Sequence, residues 1–216
     1  MKYIPVIFIM ISSFSGFSQV CGCAEKPEFT GVIPCDTILI DSQSRLYRQF
    51  SCDSSWITFE NNTTGKRILY TLQKNNIEYT GKMGYQYAGA FKKVFLIRNK
   101  YTKDLPPEYI LFDKSTGKPT KKIGTILYFS GSTIVYIDHK ALDFINVYSI
   151  DSEKTQKILL PKGRLAYTLK NSGEIYPESL VENVLIKGNL VSVNYKYQKK
   201  ETKNTWFKAV ASLQLK

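Results

Sequence analysis

Four cysteines are the first residues to test for chemistry: Cys21, Cys23, Cys35 and Cys52 fall in one early stretch and none follows. Thiols at that density could hold zinc or close disulfides. The C-x-x-C spacing of common zinc motifs is missing, and a site made of four thiolates would be closed and structural, with no open position for catalysis. In an extended segment Cys21 and Cys23 would point to one face with Cα atoms about 6.6 Å apart, close to the upper limit for a bridge. Two connectivities remain: Cys21 with Cys35 and Cys23 with Cys52, or Cys21 with Cys52 and Cys23 with Cys35. Either staples an N-terminal arm, residues 19–55, to the first strands, each loop contributing roughly 2–4 kcal/mol.

The remaining chemistry is sparse. His139, the single histidine, stands in Asp138-His139-Lys140, so a multi-histidine metal centre is excluded and the ring is expected in a solvated turn. No G-x-S-x-G elbow, Walker loop, G-x-G-x-x-G or calcium loop is present; no cofactor and no metal are expected. Asp53, Glu60, Glu108, Asp113 and Asp151 leave room for a carboxylate-dependent hydrolase, for which Glu108 and Asp113 are the pair to nominate. Acids that open turns, however, are expected to accept local backbone hydrogen bonds. The best claim to binding belongs to Tyr79, Tyr85, Tyr87 and Phe91, interleaved with Gly81, Gly84 and Gly89. Such rings can stack on sugars or insert into a protein partner, or serve as the inward residues of a hairpin. Asn61-Asn62-Thr63-Thr64 contains two overlapping N-x-[ST] sequons, and Asp36-Thr37-Ile38 resembles a bacterial O-glycosylation sequon.

The chain start points to export. Lys2, the apolar run Tyr3 to Phe14 and the small and polar Ser15 to Gln19 have the three-part layout of a signal peptide, residues 1–18. The run is too short and too poorly flanked for a transmembrane helix in the mature form. Val20-Cys21-Gly22-Cys23 resembles a degenerate bacterial lipobox, which implies lipidation at Cys23 as the alternative to soluble export. Cys21-Gly22-Cys23, Cys35 and Thr37 to Ile40 are also similar to the start of netrin-like domains and tissue inhibitors of metalloproteases, where the amine of the first cysteine meets the protease zinc. The expected location is periplasmic or extracellular. The net charge of +12 comes mostly from lysines scattered through turn-like segments, where they suppress edge-to-edge aggregation. Export and the shortage of Arg argue against nucleic acid as a partner.

The elements that must position these residues read as strands and turns. Ile57 to Leu72, Tyr109 to Gly124 and Ile145 to Leu160 each run as apolar strand, polar turn and basic strand, a hairpin written three times. Val94 to Ile97 and Thr133 to Ile137 add a strand before two of the copies, and Leu190 to Tyr197 with Trp206 to Leu215 supplies a fourth unit. Glu60, Asp113 and Asp151 mark the shared turn. A unit of about forty residues with three or four antiparallel strands resembles a β-propeller blade. The expected fold is one all-β domain, an antiparallel meander of such repeats that is propeller-like, or a β-sandwich, with body 56–216. Only Pro177 to Ile186 offers a competing short helix, against its β-branched content. The functional expectation is a non-enzymatic binding module for a protein or surface glycan; the alternatives are an inhibitor or immunity-type protein directed at a hydrolase or toxin, and the carboxylate hydrolase.

Overall fold

Alternation of apolar and polar side chains makes strands of this chain, and Leu190–Lys199 shows it plainly: Val191, Val193, Tyr195 and Tyr197 are buried, and Ser192, Asn194 and Lys196 between them are not. The computed structural model describes residues 36–50, 54–73, 84–100 and 106–215. The segment 1–18 expected to be a signal peptide, Tyr79 and the four cysteines, with the expected lipidation at Cys23, lie outside the described residues.

Among the described residues, fifteen strands form four antiparallel sheets, each a meander in sequence order. The first holds β1 (Ile38–Leu39), β2 (Ser44–Phe50), β3 (Ser54–Asn61) and β4 (Gly65–Gln73). The second holds β5 (Gly84–Ala90), β6 (Val94–Lys100), β7 (Glu108–Asp113) and β8 (Pro119–Ile123). The third holds β9 (Thr125–Ser130), β10 (Thr133–Asp138), β11 (Ala141–Ser149) and β12 (Thr155–Leu159). The fourth holds β13 (Val181–Lys187), β14 (Leu190–Lys199) and β15 (Thr202–Gln214). The all-β expectation is met, and the hairpins read from sequence are β3–β4, β7–β8, β11–β12 and β14–β15.

Three core layers lie between successive sheets. Ile57 and Phe59 meet Phe95, Ile97 and Phe112 between the first and second, where the Phe59, Phe95 and Phe112 rings stack at successive centroid distances of 5.3 Å. Leu96 and Leu111 meet Ile134, Tyr136 and Tyr148 between the second and third. Val135, Ile137 and Val147 meet Val191, Val193 and Tyr195 between the third and fourth. Strands β6 and β10 are therefore covered on both faces, which accounts for their unbroken apolar runs, whereas β14 belongs to an end sheet and alternates. Both end sheets turn a polar network outward. On the first, Arg45 and Tyr47 donate to Glu60 while Trp56 and Thr58 donate to Gln49. On the fourth, Ser192 bonds Ser212, Asn194 donates to Asn183 and Lys208 pairs with Glu182.

Two local readings change. The backbone bonds Asn62 N to Gln43 O, Lys114 N to Lys93 O and Ile150 N to Ser132 O repeat one geometry in three sheets. They align Asn61, Asp113 and Ser149, so the counterparts of Asp113 are not Glu60 and Asp151. A helix absent from the expected fold, α1 (Arg164–Ser172), follows Gly163 at φ 68° and stops at Gly173 at φ 75°, the left-handed conformation that glycine adopts freely. It buries Leu165 and Thr168, and the Thr168 hydroxyl donates to Arg164 O and accepts Gln198 N of β14. The competing helix at 177–186 resolves into one 3-10 turn, Pro177–Leu180, running directly into β13. Among the described residues no helix is long and apolar enough to cross a membrane.

Candidate functional site

The period of two that carries Leu46 of β2 into the core carries Arg48 to the same face. Opposite it, β5 turns Tyr85 and Tyr87 toward the first sheet. The Arg48 guanidinium donates through Nη2 to the Tyr85 carbonyl and makes no ion pair among the described residues. Burial lowers its pKa to about 10, so it stays protonated at neutral pH. It lines a cavity of about 210 Å³ between the first and second sheets, with Ile38, Leu46, Ile57, Tyr87 and Ile97 as the main walls and the exposed Asp36 at the rim. Burial also pushes the Tyr87 phenol above its ordinary pKa, keeping it a neutral donor. The combination is a desolvated cation, an aromatic hydroxyl and aliphatic walls. Such a set can recognise a ligand, and the one carboxylate among its lining residues, Asp36, is exposed at the rim.

The aromatic quartet divides. Tyr85 is buried and stacks on Tyr70, ring centroids 3.3 Å apart. Phe91 is buried at the turn between β5 and β6 and meets Phe129 edge-on at 5.7 Å. Tyr87 lines the cavity, and Tyr79 lies outside the described residues.

The carboxylate pair does not assemble. Glu108 and Asp113 occupy the two ends of β7, about 17 Å apart at 3.3–3.4 Å per residue. Glu108 pairs with Lys122 at 2.8 Å. Asp113 Oδ1 accepts from the amides of Ser115 and Thr116 at 3.0 and 2.8 Å and from their hydroxyls at 2.6 and 2.8 Å. Desolvation raises its pKa, yet these four bonds together hold it below the usual carboxylate range. It is a turn-forming acid. The neighbouring cavity, bounded by Asp41, Asn61, Asp113 and Lys114, locks the turns of the first two sheets together: Asn61 Nδ2 donates to Lys114 O, Thr64 Oγ1 to Ser115 O and Arg67 Nε to Thr116 O. Asn61, the first sequon asparagine, thus has its side-chain amide committed; Asn62 is exposed.

His139 does stand in the turn after β10, but it is not solvated as expected. Its side chain is 25% exposed, with Nε2 at 2.8 Å from Thr125 Oγ1 and 3.2 Å from Glu178 Oε2. Both contacts fall on one ring nitrogen, whereas a hydroxyl–imidazole–carboxylate relay uses the two nitrogens separately. The cluster sets the 3-10 turn beside the start of β9 and is not the arrangement of a nucleophilic triad. Among the described residues no group of three or more His, Cys, Asp or Glu side chains could hold a metal ion.

Arg48 was the residue missed. Its signal lay in Leu46-Tyr47-Arg48, where strand alternation puts a cation on the face of a core leucine.

No family model matches the chain, and no curated protein matches it. Among solved structures it is similar to an uncharacterized protein from Listeria monocytogenes, with 11% identity over 85% of this chain and 56% of that chain, at a TM-score of 0.34. It is also similar to TolB from Acinetobacter baumannii, with 10% identity over 85% of this chain and 44% of that one, at a TM-score of 0.25. The chain spans about half the length of these structures.

Proposed function

We propose that the protein is an exported, non-enzymatic binding module that takes a protein or surface glycan at the cleft between its first two sheets, on a scaffold of propeller-type blades. The observation that carries the reading is the cavity itself, where Tyr87 and a charged Arg48 without an ion-pair partner among the described residues face aliphatic walls. Recognition sites combine apolar walls with a few directional polar groups in this way. The blade reading draws on four consecutive meanders with a core layer between each successive pair. Export draws on the leader at 1–18, and the stapled arm on the four cysteines.

The test is quantitative binding of wild-type and Tyr87→Ala protein to envelope proteins and to a glycan array, each bound species identified by mass spectrometry. A ligand whose affinity falls tenfold or more in Tyr87→Ala, with the melting temperature retained, supports the site. A ligand held equally by both proteins places recognition elsewhere. Intact mass of the native protein checks export separately: it reads the mature start, any lipid on Cys23 and the two-dalton deficit of each disulfide.

A further inference from the structure

We infer that the cleft between the first two sheets receives a carboxylate carried on a compact apolar body, namely the C-terminal residue of a partner polypeptide ending in a side chain of about Leu or Phe size. This deepens the binding reading above and rests on it.

Charge comes first. A guanidinium presents five N–H donors in a planar fork that matches a carboxylate bidentately. Among the described residues, the Tyr85 carbonyl is the acceptor that Arg48 meets. A cation taken out of water without a counter-charge is costly, and an anion entering the cleft supplies the counter-charge that the described residues do not. Size comes next. An apolar cavity of about 150 Å³ accepts a benzene ring; the cleft, at about 210 Å³, holds one such body together with its carboxylate.

The walls then choose between acids. Of the polar lining residues Tyr47 already donates to Glu60 and Gln86 accepts from Arg98, so a uronic acid would find few partners for its hydroxyls; Ile38, Leu46, Ile57 and Ile97 offer them nothing. Those aliphatic side chains suit an isobutyl or benzyl group. Asp36, exposed at the rim, repels a second negative charge and so selects a monoacid over a phosphate dianion. Capture of a chain-terminal carboxylate is an established mode of peptide recognition; here the anchor is a side-chain guanidinium between two sheets.

The experiment is an NMR and calorimetric titration of the full-length chain with N-acetyl-L-leucine and N-acetyl-L-phenylalanine, their primary amides, and glucuronate. The acids are expected to bind in the millimolar range and shift the Tyr87 resonances, with the amides and glucuronate at least tenfold weaker. In Arg48→Gln the acid and the amide should bind alike, and Arg48→Lys should recover part of the difference. Amide or glucuronate binding as tight as that of the acids, or acids that produce no saturable shift, would overturn the assignment. Capture of the physiological ligand separates the two levels. If Tyr87→Ala loses it and Arg48→Gln keeps it, the carboxylate assignment falls and the cleft stands as the binding site. If both variants keep it, the cleft reading falls as well.

Discussion

Replacing Arg48 with methionine should raise the melting temperature, although it removes a hydrogen bond. Burial brings Arg48 down to about 10, more than two pH units below an ordinary guanidinium. At about 1.4 kcal/mol for each pH unit, the folded state bears a penalty of about 3 kcal/mol for holding this charge at neutral pH. Against it stands the charged hydrogen bond to the Tyr85 carbonyl, of a kind that contributes about 1.5–3 kcal/mol. Methionine keeps an unbranched apolar stem against Leu46 and Ile57. The balance is a gain of about 1 kcal/mol, or about 2–4 °C for a chain of this size. The pH dependence carries the sign. A base whose pKa is lower in the folded than in the unfolded state is destabilising while protonated, so the penalty is nearly complete up to about pH 10 and shrinks as the pH rises through the folded value toward the higher unfolded one. The variant's advantage should therefore be full at pH 7 and shrink toward zero by pH 10.5. Differential scanning calorimetry of both proteins at the two pH values checks this. A drop of several degrees in the variant at pH 7 would refute the reasoning, because it would mean that Arg48 is balanced by an acid in the fold.

Other perturbations probe the scaffold. Gly117→Ala puts a Cβ into the Phe59 ring at a backbone φ of +63°; overpacking and left-handed strain together should cost about 2–4 kcal/mol, read as a lower urea midpoint, and an unchanged midpoint would show that the ring yields. Asp113→Ala should cost about 1–2 kcal/mol through loss of its turn bonds. Because those bonds hold the folded Asp113 pKa below its unfolded value, the difference from wild type should be constant between pH 7 and about pH 5 and be lost as the pH falls through the folded value; a difference that grew on acidification would contradict this. Thr168→Val leaves the buried Gln198 N–H without its acceptor and should lower unfolding free energy by about 1–3 kcal/mol, with rescue by Thr168→Ser, both followed by denaturant titration.

How far the chain could be read depended on the range of the interaction involved. The hairpins were legible because a strand needs only local alternation and its turn only local Gly, Asp, Ser or Thr chemistry. The repeat register was harder. It follows backbone bonds such as Lys114 N to Lys93 O, and no side-chain type in the sequence marks them. Helix α1 was hidden among strands, although Gly163, Leu165, Thr168 and Gly173 spell a short stripe with glycine at both ends. What holds it is Thr168 reaching Gln198, which sequence spacing does not reveal. His139 was read from its turn, while Thr125 and Glu178 reach it from other elements.

The candidate site divides in the same way. Tyr87 could be nominated because an aromatic residue among glycines is visible in one dimension. Its alternation partner Tyr85 was nominated with equal reason and sits in the core against Tyr70. Sequence by itself determined the all-β class and the order of the meanders, since these rest on residue type and on a period of two. Only the tertiary structure decided which face of each strand is covered, and so which aromatic lines a cavity and which cation is taken out of water, because burial is a property of the neighbouring sheet.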